Sequence, residues 1–254
     1  MPISTKKQQY LDQSATSVYA GMDSDNYPGA TWMQTAYDNT NLFFTGFYLG
    51  KTSSISGPCC HPTSTWMPES SPGSVRTALY DMGWGFVPLY VGQQYNDPNC
   101  PSCNVLTSAQ GTTDAQNAAD LMSAAGLPDL SVVFLDVEAG GTLPSSFMDY
   151  IQAWINEINN ATSYWAGAYC SYDQTAAQIS AKVGSGNVTL YVFDLNIQGC
   201  KETSPFPTPS PSSAYCGAKS LQYAQGCTIS NGTSTITADL DSSFYTDPSR
   251  NPTQ

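Results

Sequence analysis

Short apolar runs recur along the chain, each bounded by glycine, proline or small polar residues. Runs of this length, rich in β-branched and aromatic residues, read as buried strands. Eight of them stand out: Val18–Asp23, Leu42–Leu49, Gly85–Val91, Ser131–Glu138, Trp165–Tyr169, Val188–Phe193, Leu221–Ala224 and Ser234–Asp241. Between several of them the apolar spacing turns helical: Thr31–Asp38, Ser74–Met82, Thr112–Ala125, Pro144–Asn159 and Gln174–Val183. The Pro144–Asn159 stretch puts Phe147, Tyr150, Ile151, Trp154, Ile155 and Ile158 on one stripe, the face a helix buries. Pro88 sits inside the third strand and argues against a central antiparallel ladder position, although a bulge could accommodate it.

Strands that alternate with helices predict the α/β class and a single (β/α)8 TIM-type barrel. The pattern predicts an irregular barrel, because helices are short or missing after the sixth and seventh strands. The barrel is expected over residues 17–247, between a polar N-terminal arm (1–16) and a polar tail (248–254). Two long loops interrupt it, Gly50–Gly73 and Gly92–Gln110. The Pro/Ser-rich stretch Gln198–Lys219 favours an extended path over the surface.

Charge narrows the partners. The 254 residues carry 8 Lys+Arg against 20 Asp+Glu, a net charge of −12. Such a surface repels nucleic acid and anionic membranes. No apolar run is long enough to cross a bilayer, so no membrane insertion is expected. Only 11% of the residues are charged, and Ser, Thr, Asn, Gln and Tyr abound. That neutral-polar, aromatic-rich composition suits a polysaccharide partner. The chain is expected to act as a monomer without a cofactor or resident metal.

Eight cysteines in a lysine-poor chain favour disulfides and an oxidising, extracellular compartment. Sequons at Asn160, Asn187 and Asn231 agree with a secreted glycoprotein. The opening Met1–Tyr10 lacks the apolar core of a signal peptide, so either a leader has been removed or export takes another route. Cys59-Cys60-His61 and Cys100-Pro-Ser-Cys103 could ligate zinc. Adjacent cysteines make poor zinc ligands, and disulfides that tie the two long loops together are preferred. Cys200–Cys216 and Cys216–Cys227 are both open as bridges that would pin the Pro-rich loop; sequence alone does not give connectivity.

Chemistry concentrates in Ser131–Gly141, which reads S-V-V-F-L-D-V-E-A-G-G. Side chains alternate along a strand, so Asp136 and Glu138 point the same way, roughly 6.5–7 Å apart. Placing two carboxylates at the end of a buried strand is costly without a use. In a parallel barrel the chemistry sits at the C-terminal strand ends. Asp23, Asp25, Asp194 and Asp239 or Asp241 are expected there as well. Acids that converge on one mouth raise each other's pKa values, so one stays protonated while another ionises. Glycoside cleavage needs that division. An acid ring that holds Ca²⁺ or Mg²⁺ is the competing reading. Among the aromatics near strand ends, Tyr27, Tyr48, Tyr90, Tyr169 and Tyr223 are candidates to stack on sugar rings.

Four motifs carry a family resemblance. Gly21-Met-Asp23-Ser-Asp-Asn-Tyr-Pro-Gly29 resembles the G-I-D-V-S-x-x-Q-G opening of family 25 glycoside hydrolases, the Chalaropsis-type lysozymes. Asp136-Val-Glu138 resembles their strand-four D-x-E, and Gly167-Ala-Tyr169 their G-x-Y. Gln222-Tyr223, followed by Asp239-Leu-Asp-Ser-Ser-Phe244, resembles their closing Q-Y and V-D-x-N-x-F. Val87-Pro-Leu-Tyr90 is also similar to the V-P-x-Y strand of related glycoside-hydrolase-like barrels classed as a domain of unknown function. The resemblance implies a secreted glycosidase that cleaves a β-linked N-acetylhexosamine polymer, with cell-wall peptidoglycan the leading substrate. It implies Glu138 as general acid, Asp136 as the group that steadies positive charge or orients an acetamido group, and Asp23 and Asp239 as further catalytic acids. Asp25, Tyr27, Tyr48, Tyr90, Tyr169, Gln222, Tyr223 and Asp241 fall to substrate binding. Asp25, Tyr27 and Asp241 depart from the usual motif. The alternative reading is a barrel that binds carbohydrate without cleaving it.

Overall fold

A computed structural model describes residues 18–250. The chain alternates β1 (Tyr19–Asp23), α1 (Ala30–Asn39), β2 (Leu42–Tyr48), α2 (Ser74–Met82), β3 (Gly85–Tyr90), α3 (Ser108–Ala124) and β4 (Val132–Val137). It continues through α4 (Ser145–Ala161), β5 (Trp165–Ser171), α5 (Tyr172–Val183) and β6 (Thr189–Gln198), then β7 (Lys201–Thr203), β8 (Ala218–Ser230) and β9 (Thr235–Ser243). Eight of these strands close a TIM-type barrel, with five helices outside. Strands β1 to β6 run parallel in sequence order, and β6 pairs in parallel with β8.

Closure is irregular. Strand β9 runs antiparallel to both β8 and β1, so it does not present its C-terminal end to the mouth as the parallel reading required. The reason is local. Only Asn231-Gly232-Thr233-Ser234 separates β8 from β9, and a connection that short joins antiparallel strands. The Asn231 side-chain oxygen accepts from the backbone N–H groups of Thr233 and Ser234 and fixes the turn. Pro88 needs no bulge, because pairing with β4 begins only at Leu89, after the proline. The chain up to Arg250 is tied to the barrel: Ser249 O accepts from Val132 N–H, and the Asp247 carboxylate accepts from Phe86 N–H.

The cysteines pair as Cys59–Cys103, Cys60–Cys100 and Cys200–Cys227. The first two tie the long loops after β2 and β3, as expected, and leave no thiolate among those four for zinc. The third overturns both Cys216 alternatives: Cys216 is free and exposed, and Cys170 is free and buried. The missed strand β7 explains this, since it lies parallel on the outer end of β8 and brings Cys200 next to Cys227.

Two apolar layers hold the fold. Outside the barrel, the predicted stripe of α4 is fully buried against the strands and α3. Burial of such side chains contributes about 1.5–3 kcal/mol each. Inside, Phe43, Phe44, Val87, Leu89, Val132, Phe134 and Tyr191 fill the lower half of the barrel. Gly167 faces inward and leaves room for the Phe134 ring, while Gly46 leaves room for the Asp23 side chain. The apolar fill stops there, and the polar residues of the upper interior begin.

Candidate active site

The mouth is built from strand residues two apart. Asp23 ends β1, Tyr48 ends β2, Asp136 lies in β4 with Glu138 just beyond it, and Tyr169 comes from β5. Gln222 in β8 and Asp239 and Asp241 in β9 complete the ring. Asp23 and Asp239 face each other in the β1–β9 register, and Asp241 pairs with Gly21 one layer lower. The Tyr48 hydroxyl donates to Asp23 Oδ1 at 3.0 Å. The Tyr169 hydroxyl donates to Gln222 Oε1 at 2.6 Å, and Gln222 Nε2 donates to Asp239 Oδ2 at 2.9 Å. Gly226 N–H donates to Asp239 Oδ1 at 2.7 Å.

Burial and mutual repulsion raise these carboxyls. Asp136 lies well above the ordinary carboxylate value, first through burial and then through Glu138 and Asp23. Asp23 is raised well above it by burial and by Asp239, with the Tyr48 hydrogen bond opposing. Asp241 is raised well above it by burial and Asp23, with Tyr191 opposing. Asp239 rises through burial, moderated by the Gly226 N–H. Glu138 is exposed at the rim. The walls around it still desolvate its carboxyl enough to raise it, Asp97 adds to the rise, and His61 lowers it. Asp136 Oδ1 is buried without a hydrogen-bond partner. A ring of acids that resist ionisation, with one unpartnered oxygen next to a rim carboxyl, is equipped to hold and transfer protons.

The ring gathers Asp23, Asp136, Glu138, Asp239, Asp241, Tyr48, Tyr169 and Gln222. Asp25 is exposed on the loop after β1, and its charge raises its acidic neighbours. Tyr27 packs on Trp66 at 5.2 Å between ring centres. Tyr90 and Tyr223 do not reach the mouth. Tyr90 points outward against Trp154 and donates to Asn117, and Tyr223 points outward and donates to Pro207 O. Strand alternation explains both, since inward Leu89 and Gln222 turn their neighbours toward the outer layer. Sequence reading weighed His61 only as a ligand beside the cysteines or as a base, and missed Asp97 as a rim group and Gln94 and Ser171 as supports. The bridged loops carry His61 over the Tyr48 ring, 6.4 Å between centres. Only the cysteine pairing held a sequence clue to that proximity.

No curated protein of known function matches the sequence. Solved structures share the fold at low identity. An uncharacterized B. stearothermophilus protein superposes with a TM-score of 0.60 at 16% identity, covering 88% of this chain and 94% of its own. The Mycobacterium tuberculosis Tat-secreted protein Rv2525c does so with a TM-score of 0.55 at 16% identity, covering 91% and 97%. GHIP, a glycosyl hydrolase 25 of Streptococcus pneumoniae, gives 0.56 at 10% identity, covering 100% and 94%. Residues 38–243, from the end of α1 through β9, match the family described as the Rv2525c-like, glycoside hydrolase-like domain, and the chain belongs to that family.

Proposed function

We propose that the protein is a glycoside hydrolase that cleaves a polymer of 2-acetamido sugars, with cell-wall peptidoglycan as the leading substrate. The observation that carries this is the inward pair on β4: buried Asp136 with an unpartnered oxygen, two residues from rim-exposed Glu138, inside a ring of raised acids. Like charges this close do not both ionise, so the pair keeps a proton above the ordinary carboxylate range. A substrate acetamide N–H that donates to the Asp136 carboxylate favours ionised Asp136 and leaves the shared proton on Glu138. Glu138 then protonates the glycosidic oxygen as the C–O bond breaks. Positive charge that develops at the anomeric carbon is met by the acetamide oxygen, oriented by Asp136. Water then attacks, and Glu138 takes back a proton. Tyr48 and Tyr169, both half-buried at the mouth, offer faces for sugar.

The disulfides and the acidic, neutral-polar composition support an extracellular location, as does kinship to a protein described as Tat-secreted. No described helix is long and apolar enough to cross a membrane. Of the three sequons, Asn160 and Asn187 are exposed and open to a glycan. Asn231 is buried, and its amide donates to Trp32 O.

The test is release of new reducing ends from peptidoglycan and from chitin oligosaccharides by wild type and Glu138→Gln. A general acid contributes about 10²–10⁴-fold, and a loss of that size is expected from the substitution. Wild-type release at the level of the blank on every substrate would sink the enzymatic reading. Binding without release would leave a sugar-binding barrel.

A further inference from the structure

We propose that Gln94 is the positioning residue for the acid pair, and that its side-chain amide does this by standing in for a missing stretch of backbone. Pairing of β3 with β4 ends at Tyr90 and Leu135. Beyond it the Gly92 N–H turns back onto Tyr90 O, and the β3 chain leaves the sheet. The next rung of a parallel ladder would need a residue whose N–H donates to Asp136 O and whose C=O accepts from Glu138 N–H. Gln94 supplies both from its carboxamide: Nε2 donates to Asp136 O at 2.8 Å, and Oε1 accepts from Glu138 N–H at 3.4 Å. The side chain is 2% exposed, so these bonds form away from competing water.

Glu138 therefore sits one residue past the end of β4 yet stays held. On the other side the Ser171 hydroxyl donates to Glu138 O at 2.7 Å. Gln94 is itself fixed by the bridged loops, since its backbone N–H donates to Cys103 O at 2.8 Å and Cys103 is bonded to Cys59. The chain of contacts runs from a disulfide, through one backbone hydrogen bond, to one side chain that grips the backbone on both sides of Val137. The loop knot thereby sets where the two carboxyls point. The catalytic part of this proposal rests on the glycosidase reading; the structural part does not.

Two variants test it. Gln94→Ala removes the surrogate peptide. The Glu138 amide proton is expected to exchange at least about tenfold faster than in wild type, while the amides of Val133–Leu135 keep their protection. Gln94→Glu keeps the shape but changes the donors with pH. Ionised, it has no donor for Asp136 O, and the acceptor–acceptor repulsion there pushes the carboxylate away from Glu138 N–H as well; protonated, its O–H and C=O reproduce the donor–acceptor pair. Protection of the Glu138 amide, corrected for intrinsic exchange, is expected to be low at pH 8 and regained near pH 4.5. On a cleaved substrate, Gln94→Ala is expected to lower kcat by about 10- to 100-fold with KM little changed, as misplacement of a reacting group does. Unchanged Glu138 protection in Gln94→Ala, or no pH rescue in Gln94→Glu, would overturn the proposal. So would full kcat with the amide unprotected. If wild type cleaves nothing, the exchange measurement still decides the structural role, and the failure belongs to the glycosidase reading alone.

Discussion

Asp241 offers the sharpest quantitative test of the acid ring. Its carboxyl is 1% exposed, and burial with Asp23 holds its pKa well above the ordinary value against the opposing pull of Tyr191. The unfolded chain titrates the same group near about 3.9. Between that value and the folded pKa, the folded state binds a proton that the unfolded state has released. Stability from this group is therefore full in acid and lost as pH rises, by about 1.4 kcal/mol per pH unit until the folded pKa is passed. In a domain of this size, 1 kcal/mol moves Tm by about 2–4 °C. Wild type thus loses roughly 3–6 °C per pH unit through Asp241 alone across that window. Asp241→Asn has nearly the shape of the protonated acid and does not titrate. Its Tm is expected to match wild type near pH 4 and to exceed it by a margin that grows with pH until the folded pKa is passed. Thermal unfolding by circular dichroism, from pH 3.5 to 8 in matched ionic strength, reads the difference directly. Parallel curves for the two proteins, or a gap that is widest in acid, would refute the reasoning.

Two other outcomes follow from packing and cross-linking. Gly167→Ala drives a methyl group into the Phe134 ring inside the barrel, and overpacking of this kind costs about 1–3 kcal/mol; a denaturant midpoint equal to wild type would show that the interior has slack. Removing the Cys59–Cys103 and Cys60–Cys100 bridges, which close loops of 44 and 40 residues in sequence separation, is expected to cost about 2–4 kcal/mol per bridge. Urea unfolding of wild type and of a variant with Cys59, Cys60, Cys100 and Cys103 replaced by serine measures that loss with Cys200–Cys227 intact, and coincident curves would mean that the loops hold their place without the bridges.

The sequence by itself determined the architecture and the acid pair. Strand lengths, the helical stripe of α4 and the alternation of Asp136 and Glu138 are local properties of period two or 3.6, so they can be read without knowing what lies opposite. The link between the two long loops was legible for the same kind of reason, because adjacent cysteines and a C-x-x-C limit the ways of pairing. The reversed direction of β9 was also written locally, in a four-residue Asn-Gly turn too short for a crossover, but the repeating β/α pattern masked it. Tertiary structure alone decided the rest. Tyr90 and Tyr223 matched family motifs yet face outward, since a motif fixes residue type and only the closed barrel fixes which face looks into the mouth. Cys200 met Cys227 because β7 docks on the overhang of β8, a contact between segments with no periodic signal. Gln94 carried no sign in sequence at all. Its role depends on a backbone that leaves the sheet at Gly92 and on the gap this opens beside Glu138, and that gap exists only once the strands are paired.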